Sequence, residues 1–422
     1  MQATLIATQS LVRESRVVSV GIFCFVVLTT ISGLVTTYES RDAIHLFRLI
    51  AAMFVLIATL FVFARFRIAR PALISLFLYL FVFLYATIAA SFSGGLEISG
   101  QSMPVDFLIS LCGLILFCAR FYESGRVFSD EILVPLMAYA IGVCLLTLVF
   151  GGFTLDFPPR FVFEVASDEI GREENYSLGI TSFFIFASIF ASIGFSRSGI
   201  SFKGFIYFTL LLFFLFFSFL GGGRGEIAVG FLMISFVLLK ERKIRAIAIA
   251  VLSVGALMAL MVSWDALFES VVVLQRFQLI FEGDMSSRDL LLVNVFGLLS
   301  DQPSCLFLGC GPGFFQKYYD YGFGFYPHNS IAEALLIFGL PFLMLLLLFS
   351  VYGFFRYYKA VGRWDLFMLF FLYNFLVSLK SGYFFGSWVL VVGIFFFIGV
   401  GLRKFSSYDS SRRRLITKSD IC

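Results

Sequence analysis

Two apolar runs, and the polar break between them, decide the fold class of this chain. Residues 205–240 read FIYFTLLLFFLFFSFL, then GGGRGE, then IAVGFLMISFVLLK. A helix that crosses a bilayer needs about 20 mainly apolar residues, and each run approaches that length. The break sets Arg224 and Glu226 among glycines between the runs, at the edge of the membrane that the runs predict.

The rest of the chain repeats this pattern. Of its 422 residues, 60% are hydrophobic and 14% are charged, and the mean hydropathy is +0.97, all far from the averages of soluble proteins. We therefore expect one all-α, polytopic integral membrane domain over residues 1–422, with about 12 transmembrane helices in contact with membrane lipids. The 59 phenylalanines are expected mainly as bulk that faces lipid. The predicted spans are 17–37, 43–64, 71–92, 105–119, 132–152, 177–195, 205–220, 226–239, 246–263, 330–355, 366–380 and 384–402.

Lysine and arginine positions predict the orientation of these spans. Basic residues gather in alternate loops, such as 65–70 and 240–245, and near both termini, which are therefore expected on the cytoplasmic side. The opposite face is acidic. Residues 153–176 carry six acids against two bases, and residues 264–327 carry seven acids against three. The net charge of +4 is thus divided between two faces, and no nucleic-acid partner is expected.

Residues 264–327 form the only substantial extramembrane segment, a large outer loop between the ninth and tenth spans. Helical spacing of its apolar residues predicts two amphipathic helices on the outer membrane surface, the second opening at Ser286-Ser287-Arg288-Asp289. Cys305 and Cys310 share this loop, where a disulfide is one state open to them. With two histidines in the chain and no cysteines at metal spacing, neither a zinc site nor a cofactor is expected.

The outer loop ends in a histidine at the start of a predicted helix. Residues 326–333 read YPHNSIAE, and Ser330 to Glu333 has the form of a capping box. His328 is therefore expected at the mouth of that helix, where orphan N–H groups and the positive end of the dipole disfavour the imidazolium form. A neutral imidazole there accepts a proton near neutral pH, and the same field attracts phosphate. The alternative is an interfacial histidine with structural hydrogen bonds alone.

Three arginines on the outer side need a negatively charged partner. Arg224 is either a bidentate ligand of a phosphate or one half of an internal pair with Glu226, and a charge at this depth favours the functional role. Arg288 falls at the second position of its predicted helix, where a cation opposes the dipole, so an anion or an acid such as Asp289 is expected beside it. Arg276 is open to the same two explanations.

In their order and topology, these motifs resemble the O-antigen ligase and polymerase superfamily. The resemblance covers residues 205–355 and runs through Arg224, Arg288, Gly309-Cys310-Gly311-Pro312-Gly313-Phe314 and Tyr326-Pro327-His328-Asn329. It implies a metal-independent, inverting glycosyltransferase of the GT-C type in the bacterial inner membrane. It also implies that the enzyme acts at the periplasmic face on glycans carried by undecaprenyl diphosphate.

The resemblance further implies a role for individual residues. Arg224 and Arg288 would stabilise the leaving diphosphate, and His328 would deprotonate the acceptor hydroxyl, so these three are the expected catalytic residues. Asn329 would orient the imidazole or cap the helix. Four residues are expected to contact substrate: Arg276, Lys317, Tyr326 and Asn329.

The acceptor distinguishes two activities within this family. A polymerase transfers the glycan to another lipid-linked repeat, with a chain-length-regulating co-polymerase as a partner, whereas a ligase transfers it to the phosphorylated core of lipopolysaccharide. A polyanionic acceptor favours a basic outer face. Because this face is acidic, we expect the O-antigen polymerase, with the ligase as the alternative. A polysaccharide transporter or flippase is the alternative of another class, although such proteins usually show paired half-repeats, which this sequence lacks.

Overall fold

Alpha helices make up almost all of the described chain. The computed structural model describes residues 2–31, 38–65, 70–99, 102–128, 132–150, 152–154, 160–162, 178–220, 224–240, 287–322, 326–362 and 364–402. The helices are α1 (Gln2–Ile31), α2 (Tyr38–Arg65), α3 (Arg70–Ser93), α4 (Leu96–Ser99), α5 (Met103–Ser124), α6 (Leu133–Phe150), α7 (Leu178–Ser198), α8 (Phe202–Leu220), α9 (Arg224–Lys240), α10 (Ser287–Asp301), α11 (Pro303–Leu308), α12 (Phe314–Tyr318), α13 (Ser330–Phe338), α14 (Leu340–Val361), α15 (Leu366–Ser381) and α16 (Trp388–Leu402). One short antiparallel pair, β1 (Gly152–Thr154) and β2 (Arg160–Val162), aligns Phe153 with Phe161. The expected helical class is confirmed, with this pair as an addition.

Five of these helices are long and apolar enough to cross a membrane, as the composition predicts. Their apolar stretches are Leu46–Ala64, Ala72–Ser93, Met103–Ser124, Ile180–Ser198 and Leu340–Val361. Shorter apolar helices coincide with most of the other predicted spans. The predicted span 246–263 lies outside the described residues. The total number of spans and their orientation therefore stay predictions.

The predicted span 330–355 is wrong as a single helix. α13 ends at Phe338, Gly339 turns the chain with a φ of +76°, and Pro341 lies in the first turn of α14. Glycine takes this positive φ without a steric penalty, and proline suits a first helical turn, where its missing N–H is not needed. With 9 residues, α13 is about 14 Å long, roughly half the thickness of a bilayer core.

The helices differ in how much apolar surface they expose. Every residue of α16 from Trp388 to Gly401 is buried, and this helix contacts α3, α5, α14 and α15. By contrast, only 28% of the apolar stretch of α14 is buried, and Leu348 is 64% exposed. Continuous apolar exposure of this kind is typical of a surface that is covered by lipid. The bundle therefore has α16 at its centre and α14 at its margin.

Phenylalanine fills the interior as well as the margin, so the expectation of mainly lipid-facing rings is wrong for many of them. Phe367, near the start of α15, is fully buried and lies edge-to-face against Phe117 and Phe396, with ring centroids 5.1 Å away in each case. Edge-to-face pairs contribute about 0.5–1.5 kcal/mol each beyond their buried area. These rings join α5, α15 and α16.

A second, smaller core lies against α13. It is built from α10, α11 and α12, with Leu298 and Phe315 among its buried side chains. The predicted helix at Ser287 is confirmed as α10, while the first predicted amphipathic helix falls outside the part of the chain that the structure describes. Cys305 and Cys310 form a disulfide with Cα atoms 5.0 Å apart. This bond ties α11 to the glycine motif that follows it.

The glycine motif of residues 309–313 brings backbones into direct contact. The N–H groups of Cys310 and Gly311 donate to the carbonyls of Leu336 (2.7 Å) and Ile337 (3.3 Å) at the end of α13. These are carbonyls that a helix end leaves without internal partners. At Gly311, φ is +78° and a Cβ would lie 2.3 Å from the Ala90 nitrogen. The glycines therefore serve close backbone packing around α13.

Replacing Gly311 by alanine tests this packing. The strained φ and the contact with Ala90 should lower the free energy of unfolding by about 2 kcal/mol or more. Gly142→Ala is the matched control, because no atom lies within 4 Å of its Cβ position and the residue is helical. There alanine should be neutral or stabilising by up to about 1 kcal/mol. Thermal unfolding of the two purified variants, followed by circular dichroism, measures both effects, and equal midpoints would contradict the packing role.

Candidate active site

The turn before α13 is held by an asparagine cap. Asn329 occupies the N-cap with an extended backbone, and its Oδ1 accepts hydrogen bonds from the N–H groups of Ile331 and Ala332, each 3.0 Å long. The predicted capping box is therefore wrong by one residue. Asparagine is among the strongest N-cap residues, and Glu333 turns away from the cap. Of the two roles expected for Asn329, capping is the one that the structure shows.

His328 lies in a constrained, partly exposed turn. Its φ is +53°, in the left-handed region that few non-glycine residues adopt, and the preceding Pro327 is buried. The imidazole packs against the ring of Tyr326, with 4.1 Å between centroids and 41° between planes. The ring of Tyr326 in turn lies 5.9 Å from that of Tyr383. The turn thus presents a half-buried imidazole with a tyrosine ring beside it.

The turn of residues 382–387, which joins α15 to α16, packs on the start of α13. The buried carboxylate of Glu333 accepts a hydrogen bond of 2.6 Å from the N–H of Phe384. A Cβ at Gly382 would lie 2.1 Å from Ser330 Oγ, so only glycine fits at this contact. At the far end of the turn, Trp388 Nε1 donates to the buried Asp106 of α5 at 2.8 Å. Two buried carboxylates therefore hold this turn in place.

Two hydroxyl groups beside the His328 turn have their polar atoms buried. Ser330 Oγ has no hydrogen-bond partner among the described atoms, whereas the Tyr383 hydroxyl interacts with the side chain of Ser102. Burial, and then the charges of Glu333 and Asp106, raise the pKa of the Tyr383 phenol, so it remains a neutral hydroxyl group. A buried polar group without a partner costs about 1–3 kcal/mol. The Ser330 hydroxyl is therefore a candidate contact for a bound substrate.

A buried ion pair joins α9 to α15. Lys380 Nζ lies 2.7 Å from Glu226 Oε2, and the Glu226 side chain is only 2% exposed, against 36% for Lys380. Glu226 lies in the first turn of α9 and Lys380 in the last turn of α15, where each charge complements its helix dipole. The partner that the structure gives Glu226 is therefore Lys380. Arg224 is the first residue of α9, and its side chain lies outside what the structure describes.

The carboxyl-terminal end of α15 thus brings two predicted site segments together. Lys380 pairs with the first turn of the helix that Arg224 opens, and Gly382 contacts Ser330, two residues after His328. The starts of α9 and α13 therefore meet the same end of α15. Both starts carry the partial positive charge of a helix N-terminus, while the charges of Lys380 and Glu226 balance each other in their pair. The two helix N-termini can attract an anion at this end of α15, close to the turn that carries His328.

None of the other predicted contacts is described at this end of α15. Arg288 is the second residue of α10, as expected, but its side chain is outside the description, and Arg276 lies wholly outside it. Lys317 Nζ lies 3.9 Å from Glu97 Oε2, with the two side chains 43% and 82% exposed. Exposed pairs of this kind contribute little. The described contact of Lys317 is therefore with α4 rather than with the His328 turn.

Sequence reasoning missed Lys380, Glu333 and Asp106, although each carried a signal. Lys380 lies at the end of a predicted span on the acidic face, whereas most of the other basic residues lie on the opposite face. Glu333 and Asp106 are acids inside predicted spans, where ionisable residues point to a functional site. Within the described ranges, no group of three or more His, Cys, Asp and Glu side chains is placed to hold a metal ion.

Removing the lysine of the α9–α15 pair should destabilise the protein strongly. Lys380→Ala leaves the Glu226 carboxylate buried without its counter-charge, which should lower the free energy of unfolding by about 3 kcal/mol. The double variant Glu226→Gln, Lys380→Gln should lose less than Lys380→Ala, because no lone buried charge remains.

Lys317→Ala serves as the matched control for this experiment. Its pair with Glu97 is exposed, so the loss should be below about 0.5 kcal/mol. Thermal unfolding midpoints compare the three variants. Similar shifts for Lys380→Ala and Lys317→Ala would show that the buried pair does not hold α9 to α15.

No family model, no curated protein and no solved structure matches this chain.

Proposed function

We propose that the protein is an O-antigen polymerase, a membrane glycosyltransferase that moves a glycan from undecaprenyl diphosphate to the hydroxyl of another lipid-linked repeat. The observation that carries the proposal is the meeting of the Arg224 helix start and the His328 turn at one end of α15. Transfer from a diphosphate without a metal ion requires cations for the leaving group and a base for the acceptor. Both kinds of group belong to the segments that meet there.

In the proposed reaction, the acceptor oxygen attacks the anomeric carbon on the face opposite the diphosphate. A glycosidic C–O bond forms while the bond from the anomeric carbon to the diphosphate oxygen breaks, so the configuration inverts. His328 takes the hydroxyl proton. The electron pair of the broken bond leaves with undecaprenyl diphosphate, whose charge Arg224 and Arg288 stabilise through bidentate hydrogen bonds.

Neighbouring residues support these roles by fixing positions. Asn329 holds the turn that carries His328, and Tyr326 packs beside the imidazole. Lys380 holds the start of α9 against this end of α15 through its bond to Glu226. A base held within a narrow range of positions is more effective than a mobile one. The pair and the cap are thus positioning elements in this proposal.

Two observations favour the periplasmic side of the bacterial inner membrane for this site. Lysine and arginine are concentrated in the alternate loops and near both termini, which supports cytoplasmic termini under the positive-inside rule. The Cys305–Cys310 disulfide lies in the large loop, and disulfides persist mainly in oxidising compartments. The acidic balance of that loop favours a polymerase over a ligase, because a ligase receives a polyanionic acceptor.

Purified protein in lipid nanodiscs, supplied with an undecaprenyl-diphosphate-linked oligosaccharide, tests the activity. We expect longer lipid-linked glycan and released undecaprenyl diphosphate, with turnover maintained in EDTA. His328→Ala should keep donor binding while turnover falls by roughly 10²–10⁴-fold. Arg224→Ala and Arg288→Ala should weaken donor binding as well, with lysine restoring only part of it.

Two substitutions serve as controls in the same assay. His45→Ala removes the only other histidine of the chain, and Arg356→Ala removes an arginine of α14 that pairs with Tyr352. Both should leave turnover unchanged. Near-normal product from His328→Ala would rule out the proposed base. Movement of the donor across the membrane without any covalent change would instead support a flippase.

A deletion strain separates the polymerase from the ligase. Loss of a polymerase should leave single repeats attached to the lipopolysaccharide core, because ligation still proceeds. Loss of a ligase should leave polymer on the lipid carrier and a bare core. Gel electrophoresis of the extracted lipopolysaccharide distinguishes the two patterns, and a bare core with lipid-linked polymer would overturn the polymerase assignment.

A further inference from the structure

A crevice of about 180 Å³ opens where α15, the 382–387 turn and α16 meet α1. This is the volume of roughly six water molecules. Pockets for drug-sized ligands usually measure roughly 300–1,000 Å³, so the crevice suits one ring rather than an oligosaccharide. Its polar lining side chains are those of Thr29, Asn374, Ser378 and Ser387.

The lining selects against charged and against wholly apolar ligands. It contains no Asp, Glu, Lys, Arg or His among the residues described there, so an anion finds no counter-charge. A hydrocarbon chain would cover the hydroxyl and amide groups without replacing their hydrogen bonds to water, which is costly. Trp388 supplies an apolar wall beside these groups. A neutral ligand with both polar and apolar faces fits this mixture.

Three lining side chains already donate a hydrogen bond within their own helix, the first being Thr29, whose Oγ1 donates to the Val26 carbonyl at 2.9 Å. Ser378 Oγ donates to the Phe375 carbonyl at 2.7 Å, and Asn374 Nδ2 donates to the Phe370 carbonyl at 2.8 Å. The lone pairs of Ser378 Oγ and Asn374 Oδ1 remain as acceptors. A ligand that brings O–H donors is therefore favoured, and a sugar ring carries several of them.

The crevice shares its walls with the His328 turn. Gly386 lines it, and a Cβ there would lie 2.7 Å from the ring of Tyr383. The ring of Tyr383 reaches Tyr326, which packs on His328. Gly382, a second lining residue, contacts Ser330. A ring held in the crevice is thus adjacent to the turn that carries the proposed base.

We propose that this crevice is a subsite for one neutral sugar unit of the glycan, bound through its hydroxyl groups next to the reacting unit. The inference rests on the proposed function, because the glycan is the substrate named there. The sugar unit belongs either to the donor or to the acceptor, since both carry sugar rings with the same kinds of hydroxyl group.

Trp388 is a built-in reporter for this subsite. The chain has 3 tryptophans, so Trp264→Phe with Trp364→Phe leaves Trp388 as the only one. In nanodiscs free of sugar-based detergent, this protein is titrated with methyl glycosides of glucose, galactose, mannose and N-acetylglucosamine, and with inorganic phosphate. We expect a saturable change in Trp388 fluorescence with at least one glycoside and none with phosphate.

Two substitutions link that response to the lining groups. Asn374→Leu and Ser378→Ala each remove one acceptor, and each should weaken sugar binding by about threefold to tenfold, the effect of one hydrogen bond. Ser192→Ala is the matched control, because Ser192 is buried in α7 and donates to Ile189 in the same way at 2.7 Å, away from the crevice. It should leave binding unchanged, and unfolding midpoints confirm that all three variants are folded.

Kinetics with the same variants identify the source of the sugar. A raised KM for the acceptor with kcat maintained assigns the unit to the acceptor, and a raised KM for the donor assigns it to the donor. The subsite is overturned if Asn374→Leu and Ser378→Ala behave like the control Ser192→Ala, with the same fluorescence response to glycosides and the same KM for donor and acceptor. It is also overturned if brominated lipid tails quench Trp388 while no glycoside acts. Saturable sugar binding by a protein that transfers no glycan would instead overturn the proposed function and leave the subsite.

Discussion

Helix α13 is a short element with polar ends in apolar surroundings, and each of its free backbone groups must find a partner. Asn329 accepts from N–H groups at one end, while Cys310 and Gly311 donate to carbonyls at the other. The Glu333 carboxylate takes the N–H of Phe384 from the side. Segments far apart in the chain are thereby held around one helix. The position of His328 follows from these bonds, because it lies one residue before the cap.

Local sequence signals were enough to place most helices and the histidine turn. Apolar runs predicted α2, α3, α7 and the others because a span is a property of contiguous residues. The asparagine next to His328 was among the expected caps for the same reason. The end of α13 at Phe338 was missed although Gly339 and Pro341 signalled it, because a long apolar run was given more weight than the break within it.

The sequence did not predict which side chains pair between helices that are distant in the chain. A pair with Arg224 was the one partner considered for Glu226, and the structure shows a pair with Lys380 from another helix. Lys317 was expected near substrate, which stays a prediction, and the contact that the structure shows for it is with Glu97. Periodicity tells which face of a helix is apolar but not which helix lies against it. The sequence therefore predicted a candidate site as a set of residue types on one expected side of the membrane, but it did not predict that the starts of α9 and α13 meet the end of α15.

The left-handed backbone of His328 limits how the site tolerates change. Holding a non-glycine residue at a φ of +53° costs roughly 1–2 kcal/mol relative to glycine. Replacement by glycine removes the imidazole and the strain together, so a variant can be more stable than the natural chain and yet lack the proposed base. Selection for thermal stability alone therefore acts against this residue, as it does at many strained functional positions. A stabilised version of the protein made by consensus or screening should keep position 328 unchanged from the start.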